Sequence, residues 1–420
     1  APVTGARPSC PTPARSVLPG KRELKQFASM RVWIAVVAVL ALVGHGTAAR
    51  ARAMQEADDE LEGVWVTASA QTPKHLGDAT HPSVRYSHDV VVWGDKMVVT
   101  HGYFYDRSQN KPSWRDDTWS FSLIPPHTWT PMIPIGGGDG VNVPHGRYGH
   151  VVALHGSDLY MHGGTDGGTR ITHEHGFKMN MEFDDLWRLN LNDLKWELLL
   201  PKDNGHPYGP GKRYLHTAVT VGNHLWFYGG SNKSDLWAWH TEKESWHQIV
   251  PQPGDKWPGR RQGHASAALP ERGGFVISGG TRWGFGSKAL LDDLWVFKVE
   301  TRKWEQLHQR APAPVPRLYH KVASANGRLV LQGGSTSTPG MKCQEETWVY
   351  DTTTSQWEQL AAAPVAVYHH TLVAHEPTRT AFLFGGHKCG ADQPHDPAYL
   401  NSVYKIRLPP AKPYEEPELR

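Results

Sequence analysis

Two sets of side chains in this sequence are of the kinds that ligate metals or move protons. His173-Glu174-His175, with His387, His395 and Asp396, offers imidazoles and carboxylates of the sort that converge on Zn²⁺. Acidic pairs stand shortly before Trp residues at Asp116-Asp117, Asp184-Asp185, Asp292-Asp293 and Glu345-Glu346. Carboxylates so placed are the raw material of general acid–base work. The chain holds 25 His, however, and an HxH pair in a polar loop is more often a solvated turn than a ligand pair. His173 and His175 therefore rank as weak metal candidates, and no cofactor is expected. The acidic pairs recur at intervals along the chain, which points to capping of loops before catalysis.

What positions these residues is a unit present six times. Its lead-ins are Arg85-Tyr86-Ser87-His88, Arg147-Tyr148-Gly149-His150, Arg213-Tyr214-Leu215-His216, Arg261-Gln262-Gly263-His264, Arg317-Leu318-Tyr319-His320 and Val367-Tyr368-His369-His370. An apolar stretch follows each, closing on Gly-Gly in five units and on His101-Gly102 in the first. Then come the acidic residues, an aromatic (Trp119, Trp187, Trp237, Trp295, Trp348, Tyr404) and a second Trp (Trp129, Trp196, Trp246, Trp304, Trp357). Successive lead-in histidines stand 62, 66, 48, 56 and 50 residues apart, and the variation belongs in loops. Each unit reads as four short strands, which cannot bury their apolar faces without neighbours. The recurrence of the lead-in histidines favours a scaffold role, hydrogen-bonding backbone at the start of the first strand.

The Gly-Gly pair with spaced Trp residues resembles the kelch repeat over roughly residues 61 to 409. The resemblance implies an all-β, six-bladed propeller with four antiparallel strands per blade. Trp65, in Gly63-Val64-Trp65-Val66-Thr67, has no unit of its own, and the sixth unit lacks its second Trp. The N-terminal strand is therefore expected to supply the outer strand of the last blade and close the ring. The run of Asp-Asp-Leu-Trp motifs looks closest to extracellular, attractin-type kelch domains, which implies adhesive or receptor-like binding.

Ahead of the propeller, Met30-Arg31, an apolar run of twelve from Val32 to Val43, and an Ala-rich stretch to Ala53 describe a secretory signal peptide. Residues 1 to 29 read as a leader or fragment edge, and residues 410 to 420 as a disordered tail. Eight Lys or Arg and one Glu lie in residues 1–53, so the formal charge of +3 becomes −4 from residue 54 onward. The basic balance belongs to the leader, and no nucleic-acid surface is expected. Stable membrane insertion after cleavage is not expected either. Cys343 and Cys389 fall after the Gly-Gly of adjacent units and are read as a disulfide, and Asn232-Lys233-Ser234 as a glycosylation acceptor.

Strands alternate in direction, so the lead-ins and the segments after Gly-Gly must emerge on one face of the ring. That face carries Tyr103, Arg107, Trp114, Arg170, Arg282, Trp283 and His387, a rim of aromatic, cationic and imidazole groups suited to gripping a partner. The reading is a secreted or lumenal, non-catalytic module that binds a protein or glycan through this face. The alternative is a carbohydrate-active propeller enzyme, oxidase- or mutarotase-like, with chemistry in the central pocket. An intracellular adaptor becomes preferable only if Met30 does not begin a signal peptide.

Overall fold

The computed structural model describes residues 62–72, 78–106, 109–136, 142–171, 178–201, 209–284, 287–337, 340–389 and 398–410. The leader, the signal segment, the tail beyond residue 410, Arg107, His173 and His175 lie outside them. Six four-stranded antiparallel sheets form the propeller. Their inner strands are Asp89–Trp93, Val151–His155, Thr217–Val221, Ala265–Leu269, Lys321–Ala325 and Thr371–His375. The sixth sheet takes its outer strand from Trp65–Ser69, which pairs antiparallel with Val403–Arg407, so the N-terminal strand closes the ring as expected. Among the described residues, no helix is long and apolar enough to cross a membrane.

The core is divided into six clusters, each shared by two neighbouring blades. One packs Met97, Val99 and Trp119 of blade 1 against Phe382, Phe384 and Val403 of blade 6. Another sets Val276, Leu294 and Val296 of blade 4 against Leu329, Leu331 and Tyr350 of blade 5. Closure therefore matters energetically, because an open ring would expose two apolar blade faces. Trp65 is buried in the cluster between blades 5 and 6, and its indole N–H donates to Thr347 Oγ1 at 2.8 Å.

The lead-in arginines, to which sequence reasoning gave no task, are the largest polar side chains of this core. Arg85, Arg147, Arg213 and Arg261 are fully inaccessible, and Arg317 nearly so. Arg147 donates to both carboxylate oxygens of Asp185 at 2.6 and 2.8 Å and to the carbonyl of Gly163 at 2.9 Å. Asp185 Oδ2 also accepts from the indole of Trp187 at 2.7 Å. The same constellation recurs as Arg85–Asp117–Trp119, Arg213–Asp235–Trp237 and Arg261–Asp293–Trp295, and with a Glu as Arg317–Glu346–Trp348. Burial alone pushes the carboxyls of Asp117 and Asp185 up, but the facing guanidinium overrides it and holds both below the usual carboxylate range. In blades 1, 2, 4 and 5 the second acid of each pair is thus the counter-ion of a buried arginine, which corrects the loop-capping expectation. Among the first acids, Asp116 caps a loop, accepting from the N–H of Gly136 at 2.9 Å.

Blade 6 replaces the whole constellation at once. Val367 stands in the arginine position, Ser402 in the aspartate position and Tyr404 in the tryptophan position, with Val367 and Ser402 buried. No buried charge is left without a counter-charge there, which is the condition such pairs impose.

The glycine pairs make room for histidines. A Cβ on Gly164 would lie 2.9 Å from the Cβ of His150 in its own blade, and one on Gly163 would lie 2.9 Å from Cε1 of His216 in the next. The two glycines have φ of +68° and +90°, the left-handed region that glycine enters without strain. The lead-in histidines are scaffold residues, as expected, yet the bonds of His88, His264 and His320 run sideways to neighbouring blades and not to their own strand. His88 Nε2 meets Thr371 Oγ1 at 3.2 Å, His264 meets Thr217 Oγ1 at 2.9 Å, and His320 meets Ser278 Oγ at 3.1 Å.

After the glycine pair, three blades project β-ribbons where loops were expected. In blade 1 the strands Lys96–Asp106 and Lys111–Ser122 continue past a bulge at His101, and in blade 4 Gly274–Gly284 and Ser287–Lys298 do so past Gly279. The bulge bends each strand out of its blade and re-aims its end. Blade 2 carries a separate hairpin, Thr165–Ile171 with Lys178–Glu182.

A candidate binding site at the channel mouth

The mouth of the central channel is built on one backbone device. Ser87, Gly149, Leu215, Gly263, Tyr319 and His369 each immediately precede a lead-in histidine, and all six have φ between 50° and 65°. Each N–H donates to the carbonyl of the counterpart in the preceding blade, closing a ring of six hydrogen bonds of 2.7 to 3.1 Å. Ser, Leu, Tyr and His in this conformation are strained by about 1–3 kcal/mol each, and the closed ring is what holds them there.

The ring sets the direction of the residue before it. Tyr86, Tyr148, Tyr214 and Tyr368 occupy that position in blades 1, 2, 3 and 6, and Tyr319 lies in the ring itself. Tyr86 and Tyr148 bridge antiparallel to Tyr103 and Thr165, fastening the base of each projecting ribbon to the mouth. A continuous aromatic basin results. Tyr86 stacks parallel on Tyr399, with centroids 5.3 Å apart, and meets the edges of Tyr103 at 5.2 Å and His387 at 5.7 Å. Tyr103 continues the contact to Tyr148 at 5.3 Å and Trp114 at 6.0 Å. Tyr368 lies 5.0 Å from His387, and Tyr319 stacks on His369 at 3.7 Å.

Burial, and then the neighbouring phenols, push the hydroxyls of Tyr103 and Tyr368 up to about 12, and those of Tyr86 and Tyr319 higher still. These four phenols are therefore neutral at any ordinary pH and offer hydroxyls on half-buried rings. The acidic margin of the basin lies on blade 2. Burial raises the phenols of Tyr148 and Tyr214 first, and the carboxylates of Asp166 and Glu182 respectively add to the effect. Beneath the ring, Asp89 Oδ2 accepts from the N–H of Val152 at 3.0 Å, and its Oδ1 lies 3.5 Å from Lys321 Nζ.

Of the sequence-derived candidates, Tyr103, Trp114 and His387 meet in this basin. Arg282 and Trp283 stand apart on the blade 4 ribbon, both exposed, with Lys288 Nζ 4.1 Å above the Trp283 ring. Arg170 lies on the blade 2 hairpin. The Asn232 amide is engaged by the blade 4 ribbon: it donates to the Trp283 carbonyl at 3.2 Å and accepts from its N–H at 3.1 Å. Cys343 and Cys389 form a disulfide, with Cα atoms 5.5 Å apart. It ties the post-glycine segments of blades 5 and 6 together two residues from His387. No group of three or more His, Cys, Asp or Glu among the described residues is arranged to hold a metal ion.

Sequence reasoning missed Tyr86, Tyr148, Tyr214, Tyr319, Tyr368 and Tyr399. The signal was present, since a Tyr two residues before the histidine recurs in four of six lead-ins.

Six radial sheets around a channel, with the Arg–acid–Trp constellation in five of them, define a β-propeller of the kelch class. The chain belongs to the kelch-repeat family: the family model described as the KLHDC2/KLHL20/DRC7 Kelch-repeats domain matches residues 87–334 and 275–412. It is similar to Kelch domain-containing protein 10 of Rattus norvegicus, 26% identical over 46% of this chain and 44% of that protein. Putative protein tag-53 of Caenorhabditis elegans is 24% identical over 77% of this chain and 23% of the relative. Multiple epidermal growth factor-like domains protein 8 of Homo sapiens is 28% identical over 47% of this chain and 7% of the relative. The chain spans less than half the length of these curated relatives. Kelch propellers are typically protein-binding modules.

Proposed function

We propose that this propeller is a secreted or lumenal recognition module that grips a protein partner in the tyrosine basin at its channel mouth. The observation that carries this reading is the convergence of half-buried tyrosines from five blades onto one mouth. Such rings offer large contact area at low entropic cost together with a polar handle, the composition favoured where partners are held. Beneath the mouth, Asp89 holds the next blade's inner strand and pairs with Lys321, a structural engagement of both that favours binding over chemistry in the pocket. The Cys343–Cys389 disulfide and the signal-like segment before the propeller support an oxidising compartment. So does the likeness to a relative whose name includes epidermal growth factor-like domains. Glycan binding has one observation in its favour, the exposed Trp283 face on the blade 4 ribbon.

The test places a photo-cross-linking amino acid at Tyr148 in the chain expressed through a secretory pathway, with Lys243 on the opposite face as the control position. Saturable cross-linking to protein from position 148 and not from 243 supports the reading. Cross-linking equal from both, or a glycan array signal abolished by Trp283→Ala in its place, contradicts it.

A further inference from the structure

We infer that the tyrosine basin takes a cationic side chain, an Arg or Lys presented by a segment of the partner protein. The inference rests on the proposal that the basin is the protein-binding site, and it names the chemistry of the group bound there. Three observations lead to it. First, Tyr86 lies against Tyr103 and Tyr103 against Tyr148, with ring centroids 5.2 and 5.3 Å apart, and these rings, with Tyr319 and Tyr368, are half-buried, so several phenol rings converge on one opening. Electron-rich ring faces attract a cation within about 6 Å of their centroids, worth about 0.5–2 kcal/mol each as water is excluded.

Second, among the described residues, carboxylates flank the opening at Asp166 beside Tyr148 and Glu182 beside Tyr214, both on the blade 2 side. Glu182 Oε2 is oriented by the Ser231 hydroxyl at 2.8 Å, and Ser231 Oγ in turn accepts from the N–H of Tyr214 at 3.1 Å. The backbone of Gly167, next to Asp166, packs near the rings of Trp114 and Tyr148, which brings that carboxylate to the basin wall. A carboxylate at the edge of an aromatic surface supplies a point of charge for a cation whose stem lies on the rings.

Third, two described cations of the same region are turned to other tasks. Arg115 lies 4.5 Å over the ring of Phe104 and is buried, and Lys233 donates to the carbonyls of Lys212 and Pro210. From residue 54 onward the chain carries a formal −4, so long-range attraction also favours a cationic segment.

The experiment is a selection from a random peptide display library on the purified chain, followed by titration of the enriched peptides against variants. Peptides that share an Arg or Lys, lose at least tenfold in affinity when it becomes Gln, and lose at least fivefold against both Tyr148→Ala and Glu182→Gln support the inference. Glu182→Gln keeps an acceptor for Ser231, so the ribbon stays placed while the charge goes. Peptides that bind the basin, as judged by Tyr148→Ala, but carry an acidic or wholly apolar anchor overturn the cation inference and leave the protein-binding reading intact. Enriched peptides indifferent to Tyr148→Ala, or no enrichment, overturn both.

Discussion

Arg147 and Asp185, 38 residues apart in sequence, meet in a two-pronged ion pair with no solvent on the arginine. The pair locks the lead-in of blade 2 to the start of its third strand, and the aspartate holds the Trp187 indole at the same time. Removing one partner leaves a buried charge uncompensated. Asp185→Ala is expected to destabilise the propeller by about 3–5 kcal/mol. The double variant Arg147→Val with Asp185→Ser copies what blade 6 carries at Val367 and Ser402 and should cost clearly less than the sum of the two single changes. Urea unfolding of the four-member cycle measures this; strict additivity would mean that the pair is not coupled.

Acid should unfold the protein earlier than its carboxylates alone require. Burial, aided by neighbouring cations, holds the imidazoles of His88, His101, His150, His216, His264 and His320 well below their usual range, and those of His162 and His370 at about 3. Below about pH 6.5 the unfolded chain binds protons that the folded one refuses, so stability is complete above that pH and declines as pH falls. Each imidazole that stays neutral contributes about 1.4 kcal/mol per pH unit to the decline. Asp117, Asp185 and Asp235, held below their usual range by arginines, add to the loss only below about pH 4. The urea midpoint should therefore drop steeply between pH 7 and 5, and a flat midpoint over that interval would contradict the neutral, buried state of these rings.

Trp65→Ala removes the indole that seats the closing strand between blades 5 and 6. The expected loss is about 3–5 kcal/mol, with hydrogen exchange rising first in Val403–Arg407, its strand partner. Unchanged protection there would show that the closing strand contributes little.

Cys343→Ser with Cys389→Ser opens a link across 46 residues of sequence. Chain-entropy arguments give about 4 kcal/mol for a loop of that size, and measured values centre on about 2–4. Because Cys389 is two residues from His387, and His387 touches Tyr86, Tyr368 and Tyr399, affinity at the basin should fall along with the melting temperature. A melting temperature lowered with unchanged affinity would separate the disulfide from the basin.

The architecture was legible because its determinants recur: six lead-ins, paired glycines and spaced Trp residues state the blade count, and the orphan Trp65 states how the ring closes. The arginine and aspartate were visible as letters but not as partners, since they are separated by about 30 residues and only the fold shows them in contact. The ribbons of blades 1 and 4 were invisible because a bulge at His101 or Gly279 lets a strand run on where a glycine usually ends it. The basin was half legible. Tyr103, Trp114 and His387 drew notice as apparent loop aromatics. Tyr86, Tyr148, Tyr214 and Tyr368 were masked by their own regularity, a repeated residue that serves scaffold with its backbone and surface with its ring.

The measurement that bears most directly on the basin is the affinity of the cross-linked partner for two sets of variants with matched melting temperatures. Tyr103→Ala, Tyr148→Ala and Tyr368→Ala should each weaken binding at least tenfold, while Arg282→Ala and Trp283→Ala on the blade 4 ribbon should stay within about twofold of the parent, as flanking contacts do around a hot spot. The reverse pattern, loss on the ribbon and indifference in the basin, would move the binding site away from the channel mouth.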